Sequence, residues 1–306
     1  MEETHRVNCA QGILISLAHD SKVNNCRMVL NVYLPKQYYA PNAAEKTKEK
    51  PIPTIYFLDG LSADQNHAPE TSFIQWQADI YGFAVVFPDT SPRGEEVPDF
   101  KDIFELGQSG GYYINASKEP FAKYYNMFDY VHKEMPNELT TYFNKISPVR
   151  VDFLENVSII GHSMGGMGSL MGYLKTFPHY KSCSAIAPLT NPTSEDSKAG
   201  HMGLHTYLKN PEVEGFEWDP CYLIKDKKFT EENVKGHSIL VTQGTTDPII
   251  ETELHSDRLV EYAKGTPWQG KIIYQFMEGF DHGSYLIATE IPNHAKYHAK
   301  RLGLTE

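Results

Sequence analysis

Apolar and polar positions divide this chain into short, almost continuously apolar runs separated by longer amphipathic stretches. Such runs are typical of strands covered by helices on both faces, and the stretches between them are typical of the helices in a parallel βαβ arrangement. The predicted strands are residues 28–34, 54–58, 83–87, 157–161, 184–187, 239–242 and 272–276. The predicted helices are residues 73–81, 121–143, 164–176, 251–263 and 288–302. The pattern therefore predicts an α/β fold with a mostly parallel central sheet.

The N-terminal part and two polar stretches complete this outline. Residues 12–18 and 28–34 follow each other too closely for a crossover helix, so we expect an antiparallel pair at the sheet edge. Residues 39–53, rich in lysine and poor in apolar side chains, predict an exposed loop that is short for a linker. Residues 192–215 are polar and interrupted by prolines, and could form a small cap over a site. Since no internal repeat is visible, we expect residues 1–306 to form a single domain.

Composition and charge exclude several classes of function. The formal net charge of −11 disfavours polyanionic partners, and no basic stripe suited to nucleic acid is present. No apolar stretch approaches the roughly 20 residues needed to cross a bilayer, and the N-terminus lacks the apolar run of a secretory signal. The four cysteines are dispersed without a CxxC pair, so neither a disulfide framework nor a structural zinc site is expected. We therefore expect a cytoplasmic protein without nucleic-acid or membrane partners.

The strongest chemical signal is the segment 161–165, Gly-His-Ser-Met-Gly, which fits the GxSxG pattern. It follows a predicted buried strand and precedes a glycine-rich helix start, which is the context of the nucleophile elbow in α/β-hydrolases. Such a turn holds its serine in a strained conformation, and the flanking glycines remove side chains that would collide. The alternative is a glycine-rich turn with an incidental serine. The context favours the elbow and makes Ser163 the candidate nucleophile of an α/β-hydrolase fold.

The chain order of this fold places an acid and then a histidine downstream of the nucleophile. Asp247 lies in a loop after the predicted strand 239–242, at the sheet edge where ligands bind in open α/β folds. The alternative for this residue is a helix N-cap. His282 follows the predicted strand 272–276 at the same edge, and its alternative is an ordinary loop histidine. In the catalytic interpretation His282 takes the proton of Ser163, and Asp247 orients the imidazole.

Two backbone amides are candidates for stabilising an oxyanion. One belongs to Met164, the residue after the nucleophile. The other belongs to Leu61, in the loop after the predicted strand 54–58, where Gly60 would let the chain turn inward. Donors of this kind act where negative charge develops and contribute a factor of about 10²–10³ each.

Other candidate sites are weaker. His294 and His298 have the spacing of a metal pair on a helix, but no third ligand lies nearby in the sequence. His201 and His205 lack the glutamate of an HExxH zinc motif. The glycine-rich segment 107–111 lacks the lysine of a phosphate-binding loop. No cofactor or metal is therefore implied.

Several motifs resemble those of S-formylglutathione hydrolases, the esterase D family, and their residues are most similar to those of fungal members. The matching segments are Gly-His-Ser-Met-Gly-Gly at 161–166, Phe-Pro-Asp-Thr-Ser-Pro-Arg-Gly at 87–94, Gly-Phe-Asp-His at 279–282 and Trp-Gln-Ala-Asp-Ile-Tyr-Gly-Phe-Ala at 76–84. By this resemblance Ser163, Asp247 and His282 match the family triad. The amides of Leu61 and Met164 match its oxyanion hole. The resemblance implies hydrolysis of S-formylglutathione to formate and glutathione in cytosolic formaldehyde detoxification, with no cofactor and often as a homodimer.

Three segments depart from the family pattern. Residues 59–64 read Asp-Gly-Leu-Ser-Ala-Asp where the family has Ser-Gly-Leu-Thr-Cys-Thr, so a cysteine is absent and two carboxylates are added. Residues 195–200 contain no tryptophan where the family has Pro-Trp-Gly. Residues 283–286 read Gly-Ser-Tyr-Leu in place of Ser-Tyr-Tyr-Phe. A missing tryptophan and two added carboxylates near the pocket mouth predict a smaller preference for S-formylglutathione over short aryl esters.

The sequence leaves competing functions open. The leading hypothesis is a serine hydrolase that cleaves S-formylglutathione through an acyl-enzyme, with a small-molecule thioester or ester as substrate and a second copy of the chain as partner. The alternative is a broad short-chain carboxylesterase. A non-catalytic binding protein on a hydrolase fold would be favoured by loss of a triad residue, and none is lost. Acyl transfer to an acceptor other than water is also compatible with these motifs.

Overall fold

A computed structural model describes residues 1–305, and nine strands of this part of the chain form one mixed sheet. The strands are β1 (Glu2–Cys9), β2 (Gly12–Asp20), β3 (Arg27–Leu34), β4 (Thr54–Leu58), β5 (Ala84–Pro88), β6 (Val157–His162), β7 (Cys183–Ile186), β8 (Ile239–Gly244) and β9 (Ile272–Met277). Their order is β1-β2-β3-β5-β4-β6-β7-β8-β9. The pairings from β1 to β5 are antiparallel, and those from β5 to β9 are parallel. The predicted α/β fold with antiparallel N-terminal edge strands is confirmed.

Helices connect and cover the strands. They are α1 (Ala43–Glu49), α2 (His67–Ser72), α3 (Ile74–Tyr81), α4 (Met127–Asp129), α5 (Met135–Ile146), α6 (Met164–Thr176), α7 (Lys198–Tyr207), α8 (Pro211–Glu214), α9 (Pro220–Leu223), α10 (Arg258–Ala263) and α11 (Ser284–Arg301). Helix α6 packs against β6 and β7, and α11 packs against β7 and β8. Within residues 1–305, none of the helices combines the length and apolar character that a membrane span requires.

The central strands form because their residues are apolar on both faces. Every residue of β4, β5 and β6 is buried, and branched or aromatic side chains such as Ile55, Tyr56 and Val85 fill both sides of the sheet. Because these strands run parallel, their carboxyl ends share one edge of the sheet. The loops after β4, β6, β8 and β9 therefore meet, although they are far apart along the chain.

The edge strand β1 was not found by the sequence pattern. Its residues are exposed almost throughout, and it pairs antiparallel with β2 through a register shift between Glu3 and His5. An edge strand with solvent on both faces needs no apolar alternation, because backbone pairing alone holds it. Hydrophobic periodicity therefore carries no signal for such a strand.

The predicted loop 39–53 is partly wrong, because it contains helix α1. Only Ala43 and Thr47 of this helix are buried, so its composition looks like that of a surface loop. The Thr47 hydroxyl donates to the Ala43 carbonyl (2.8 Å) and accepts from the Arg150 amide (3.0 Å). These tertiary contacts, rather than an apolar stripe, hold the helix in place.

Two predicted helices are interrupted. The segment 121–143 contains a 3₁₀ turn, the short helix α4, a π-helical turn at Tyr130–Glu134 and the first part of α5. The segment 251–263 breaks at His255, which adopts a positive φ of 46° and is buried instead of lying on a helix surface. A helical period alone does not reveal such breaks, because the apolar spacing continues across them.

The polar segment 192–215 contains two helices, α7 and α8. Helix α7 packs against the loop that precedes α4, where the Tyr112 hydroxyl donates to the Ala199 carbonyl (2.9 Å). The Tyr207 hydroxyl donates to the Gly110 carbonyl (2.7 Å) in the same loop. The segment therefore holds a neighbouring loop, and its role as a cap stays a prediction.

Helix α11 carries two histidines that are fully buried against β7 and β8. The His298 imidazole forms hydrogen bonds of 2.7 Å with the hydroxyls of Ser182 and Ser184. The His294 imidazole forms hydrogen bonds with the hydroxyls of Ser184 (2.8 Å) and Thr242 (2.9 Å). Burial lowers the pKa of His294 to about 3 and that of His298 well below its ordinary value. Their spacing thus places two neutral imidazoles in one chain of buried hydrogen bonds between α11 and the sheet.

We expect these histidines to make the fold sensitive to mild acid. Burial also lowers the pKa of His132 to about 3. In the unfolded chain each imidazole takes up a proton near pH 6.5, whereas in the fold these imidazoles stay neutral until a much lower pH. The unfolded state therefore binds more protons between about pH 6.5 and 3, and each histidine can remove about 1.4 kcal/mol of stability per pH unit. Urea unfolding at pH 8.0, 6.5 and 5.5 should give little change in the first interval and a clear loss in the second. Equal stability at pH 6.5 and 5.5 would contradict this expectation.

Candidate active site

Ser163 occupies a sharp turn between β6 and α6. Its backbone has φ 57° and ψ −120°, outside the regions that a serine normally adopts. The turn is tight enough that a Cβ at position 161 would collide with the carbonyl of Gly165, and one at 165 would collide with the carbonyl of Leu58. The two glycines of the GxSxG pattern are therefore required by close backbone approach.

The structure brings Ser163, His282 and Asp247 into direct contact. His282 Nδ1 lies 2.7 Å from Asp247 Oδ2. A carboxylate can only accept, so Nδ1 donates, and the Nε2 of the neutral ring is left to accept. His282 Nε2 lies 2.9 Å from Ser163 Oγ, so the hydroxyl donates to it. The chain of hydrogen bonds runs from serine to histidine to aspartate.

Asp247 is held in place from several directions. Its Oδ2 also accepts from Gln243 Nε2 (2.9 Å), and its Oδ1 accepts from the Ile249 amide (3.1 Å). Burial would raise the pKa of this carboxyl, but the hydrogen bond and charge of His282 outweigh burial and lower the pKa of Asp247. Asp247 therefore stays ionised near neutral pH and can stabilise a protonated His282.

The loop that carries His282 is fixed by its neighbours. His162, the residue before the nucleophile, donates from Nε2 to the His282 carbonyl (3.1 Å). Burial lowers the pKa of His162, which keeps its ring neutral in this role. Asp281 instead accepts from the Gly283 amide (2.8 Å) at the start of α11. The aspartate adjacent in sequence to His282 thus supports the helix start, while the distant Asp247 contacts the ring.

The amides of Leu61 and Met164 lie on two segments that meet beside Ser163. A Cβ at Gly60 would come within 3.2 Å of Ser163 Cβ, which shows how closely the two segments approach. The Tyr113 hydroxyl donates to the Asp59 carbonyl (3.0 Å), which anchors the loop after β4. Within residues 1–305 neither amide donates a hydrogen bond, so both are available to a ligand.

A cavity of about 700 Å³ opens beside Ser163 and His282. Its lining is Val29, residues 59–65, His67, Asp89, Arg93, Phe104, His162, Ser163, Ile249 and His282. No residue of 192–215 lines it, and neither do residues 283–286. Of the three departures from the family pattern, only the loop 59–64 borders the cavity.

The expectation that Asp59 and Asp64 present two free carboxylates at the mouth is not supported. Asp59 is buried, and its carboxylate accepts from the Gly60 amide (2.7 Å) and from His67 Nδ1 (2.7 Å). Burial would raise the pKa of Asp59, but the imidazoles of His162 and His67 outweigh burial and lower it to about 2. The Asp64 carboxylate accepts from the amide (2.8 Å) and Nδ2 (3.2 Å) of Asn66. Both carboxylates are thus engaged by the protein.

Two side-chain pairs in this cavity were not predicted from the sequence. They are Asp59 with His67 and Asp89 with Arg93. Both aspartates directly follow strands, at the edge where a site was expected, so their positions carried a usable signal. Their partners could not be assigned, because His67 begins α2 eight residues after Asp59, and the sequence does not specify the path of the loop between them.

Other candidate groups take no part in this site. Among residues 1–305 no cluster of three or more histidine, cysteine, aspartate or glutamate side chains is arranged to hold a metal ion. The rings of His201 and His205 lie 4.2 Å apart on α7, away from the residues lining the cavity. Cys9, Cys26, Cys183 and Cys221 are free thiols.

Comparison with known proteins agrees with this geometry. The esterase family, described as "Putative esterase", matches residues 21–294. The S-formylglutathione hydrolase of Saccharomyces cerevisiae is 44% identical over 296 residues, which cover 96% of each chain. A solved S-formylglutathione hydrolase from Agrobacterium tumefaciens is 30% identical with a TM-score of 0.88, covering 99% of this chain and 100% of the other.

The fold extends to more distant hydrolases. The fluorophosphonate-binding serine hydrolase F of Staphylococcus aureus is 20% identical, with a TM-score of 0.64 and coverage of 94% of this chain and 98% of that one. At this identity the similarity shows only the shared fold.

Proposed function

Because this chain belongs to the S-formylglutathione hydrolase family of esterases, we propose that it hydrolyses S-formylglutathione to formate and glutathione through an acyl-enzyme on Ser163. The observation that carries the proposal is the 2.9 Å contact of Ser163 Oγ with His282 Nε2, whose ring is held by Asp247. A serine hydroxyl becomes a nucleophile when such a base removes its proton.

In the first half of the reaction, Ser163 Oγ bonds to the formyl carbon while its proton passes to His282 Nε2. The carbonyl oxygen takes up the negative charge, and the amides of Leu61 and Met164 donate to it. Collapse of this intermediate breaks the carbon–sulfur bond. The departing sulfur takes the proton from the His282 imidazolium, which gives glutathione and formyl-Ser163.

In the second half, water replaces the thiol. His282 Nε2 takes a proton from the water as its oxygen bonds to the formyl carbon, and the same two amides stabilise the oxyanion. The bond to Ser163 Oγ then breaks, His282 returns the proton to the serine, and formic acid leaves and loses its proton to water to give formate. Each proton and each developing charge is handled by side chains, amides and water.

The cellular setting is part of the proposal. We place the enzyme in the cytoplasm, where formaldehyde detoxification by this family takes place, and we expect a homodimer. Light scattering on the purified protein would measure its mass, and a monomer at micromolar concentration would contradict the dimer.

A broad short-chain carboxylesterase is the second candidate, favoured by a cavity of about 700 Å³ that is far larger than a formyl group. Of the two reasons to expect reduced selectivity, the carboxylates are weakened by the pairing of Asp59 with His67, although Asp64 keeps its charge. The other reason is the tryptophan missing from segment 195–200, a segment that does not line the cavity. One methylene group more or less in a hydrophobic pocket changes the ratio of kcat/KM between two substrates by about 10–200-fold.

We expect S-formylglutathione to be the better substrate, with a smaller advantage over 4-nitrophenyl acetate than in the yeast relative. The measurement is kcat/KM for both substrates on both enzymes under one set of conditions. A preference for the aryl ester would favour the carboxylesterase. A ratio equal to or above that of the yeast relative would show that the missing tryptophan has no effect on selectivity.

A further inference from the structure

The cavity beside Ser163 is lined by His67 and Arg93, two basic side chains that are paired with aspartates and that the reaction steps do not use. Each is paired with a buried aspartate that directly follows a strand, Asp59 after β4 and Asp89 after β5. β4 and β5 are parallel neighbours, so both pairs stand at the same edge of the sheet. This repeated arrangement places a guanidinium and an imidazole on one wall of the cavity.

His67 is fixed at one nitrogen and free at the other. Its Nδ1 donates to Asp59 Oδ2 at 2.7 Å, and its Nε2 forms no hydrogen bond within residues 1–305. The side chain is 43% exposed, whereas that of Asp59 is 3% exposed. The hydrogen bond to Asp59 raises the pKa of His67, against the smaller effect of burial. Asp59 therefore favours the form in which Nε2 also carries a proton and can donate to an anion.

Arg93 is oriented in a comparable way. Its Nε donates to both oxygens of Asp89 at 3.0 and 2.9 Å, and its Nη2 donates to the Ala63 carbonyl at 2.8 Å. Nη1 forms no hydrogen bond within the described residues, and the side chain is one-third exposed. Ala63 lies in the loop that leads into α2, which begins at His67, so this contact connects Arg93 to the segment that carries His67.

The remaining charges of the cavity do not cancel this pair. Asp59 and Asp89 lie behind their partners, almost completely buried. Asp64 is the one other carboxylate in the lining, and Asn66 donates to both of its oxygens. An entering anion thus meets the free nitrogens of His67 and Arg93 with Asp59 and Asp89 withdrawn behind them, and Asp64 is the one lining carboxylate that has no cationic partner within residues 1–305.

We propose that His67 and Arg93 form a subsite that binds a carboxylate of the thiol leaving group. The proposal rests on the proposed function, because glutathione carries two carboxylates while the formyl group carries none. A formyl group fills little of the cavity, so discrimination has to come from the leaving group. Charge-assisted hydrogen bonds to a carboxylate are of the strength needed for this selection.

The test is the variant His67→Gln, assayed with S-formylglutathione and with 4-nitrophenyl acetate, whose leaving group has no carboxylate. We expect KM for S-formylglutathione to rise about tenfold or more with kcat nearly unchanged, and both constants for the aryl ester to stay near their wild-type values. A KM effect confined to the anionic substrate is the signature of a binding group.

In His67→Gln the buried Asp59 carboxylate loses its partner, which could displace the loop that carries it. A double variant controls for this effect. Asp59→Asn combined with His67→Gln removes both charges, and it should show the same selective rise in KM. The control is His205→Gln, since His205 is similarly exposed at 41%, pairs with Glu212 and lies outside the cavity. Unchanged KM for S-formylglutathione in His67→Gln would overturn the subsite. An equal loss of kcat on both substrates would overturn it as well, because it would assign His67 to positioning the Leu61 loop.

A second measurement separates this proposal from the proposed function. Glutathione should inhibit aryl ester hydrolysis competitively, and its diester with both carboxyl groups blocked should inhibit at least tenfold more weakly. The variant His67→Gln should abolish that difference. This readout needs no thioesterase activity, so a wild-type enzyme that fails to hydrolyse S-formylglutathione would refute the proposed function alone. Equal inhibition by glutathione and its diester would refute the subsite alone.

Discussion

Replacing Ser163 with alanine is expected to lower kcat by about 10⁶-fold while leaving the fold intact. The side chain is partly buried beside the cavity, and within residues 1–305 its one hydrogen bond is to His282 Nε2. Without the hydroxyl no acyl-enzyme can form, and the oxyanion amides and binding energy account for whatever rate remains. The measurement is steady-state hydrolysis of S-formylglutathione, with circular dichroism to verify folding.

Covalent labelling by a fluorophosphonate provides an independent readout of the same variant. Labelling should disappear in Ser163→Ala and persist in Ser117→Ala, since the Ser117 hydroxyl bonds Glu214 on the surface outside the cavity. Undiminished labelling of Ser163→Ala would mean that another residue is the nucleophile and that the elbow has been misassigned.

Replacing Asp247 with asparagine is expected to lower kcat by about 10⁴-fold. Asp247 Oδ2 accepts from His282 Nδ1, and this fixes the tautomer in which Nε2 faces Ser163. An asparagine amide that donates to Nδ1 would place the ring proton on Nε2, where it cannot accept the serine proton. The substitution preserves volume, so the loss should appear in kcat on both thioester and aryl ester substrates.

Asp281→Asn is the matched control for this prediction. Asp281 accepts from the Gly283 amide at the start of α11 and forms no hydrogen bond with the His282 ring. The side-chain oxygen of asparagine can accept from the same Gly283 amide, so a change of less than tenfold in kcat is expected. If Asp281→Asn proved the more damaging of the two substitutions, the acid of the triad would have to be reassigned.

The elbow could be predicted from the sequence because its geometry is local. A buried strand, a turn with glycines at 161 and 165 and a helix start are neighbours along the chain, and the Gly165 carbonyl excludes a side chain at 161 from within this segment. At 165 the excluding group is the remote Leu58 carbonyl, so only the motif reveals the need for that glycine. Asp247 and His282 could also be predicted, since each follows a recognisable strand and parallel strands share one carboxyl edge.

Features held by backbone pairing or by distant partners could not be predicted. Strand β1 has no buried face, and α1 depends on a hydrogen bond between Thr47 and Arg150, which are 103 residues apart. The pairing of Asp59 with His67 was not predicted for the same reason, whereas Asp64 keeps its charge and the expected repulsion of an anionic substrate stays a prediction. The sequence shows two carboxylates in a loop, but their charge at the cavity surface depends on which donors fold against them.

The sequence by itself determined the fold class and, by resemblance, the family, because hydrophobic periodicity and a contiguous motif specify which segments are buried and how the chain turns at Ser163. Only the tertiary structure decided which charges face the cavity. Asp59 is withdrawn behind His67, and Asp89 is withdrawn behind Arg93, so imidazole and guanidinium nitrogens face the cavity in place of these two carboxylates. The physical reason is that the field at a site depends on distance, burial and pairing, and these are set when remote segments pack together.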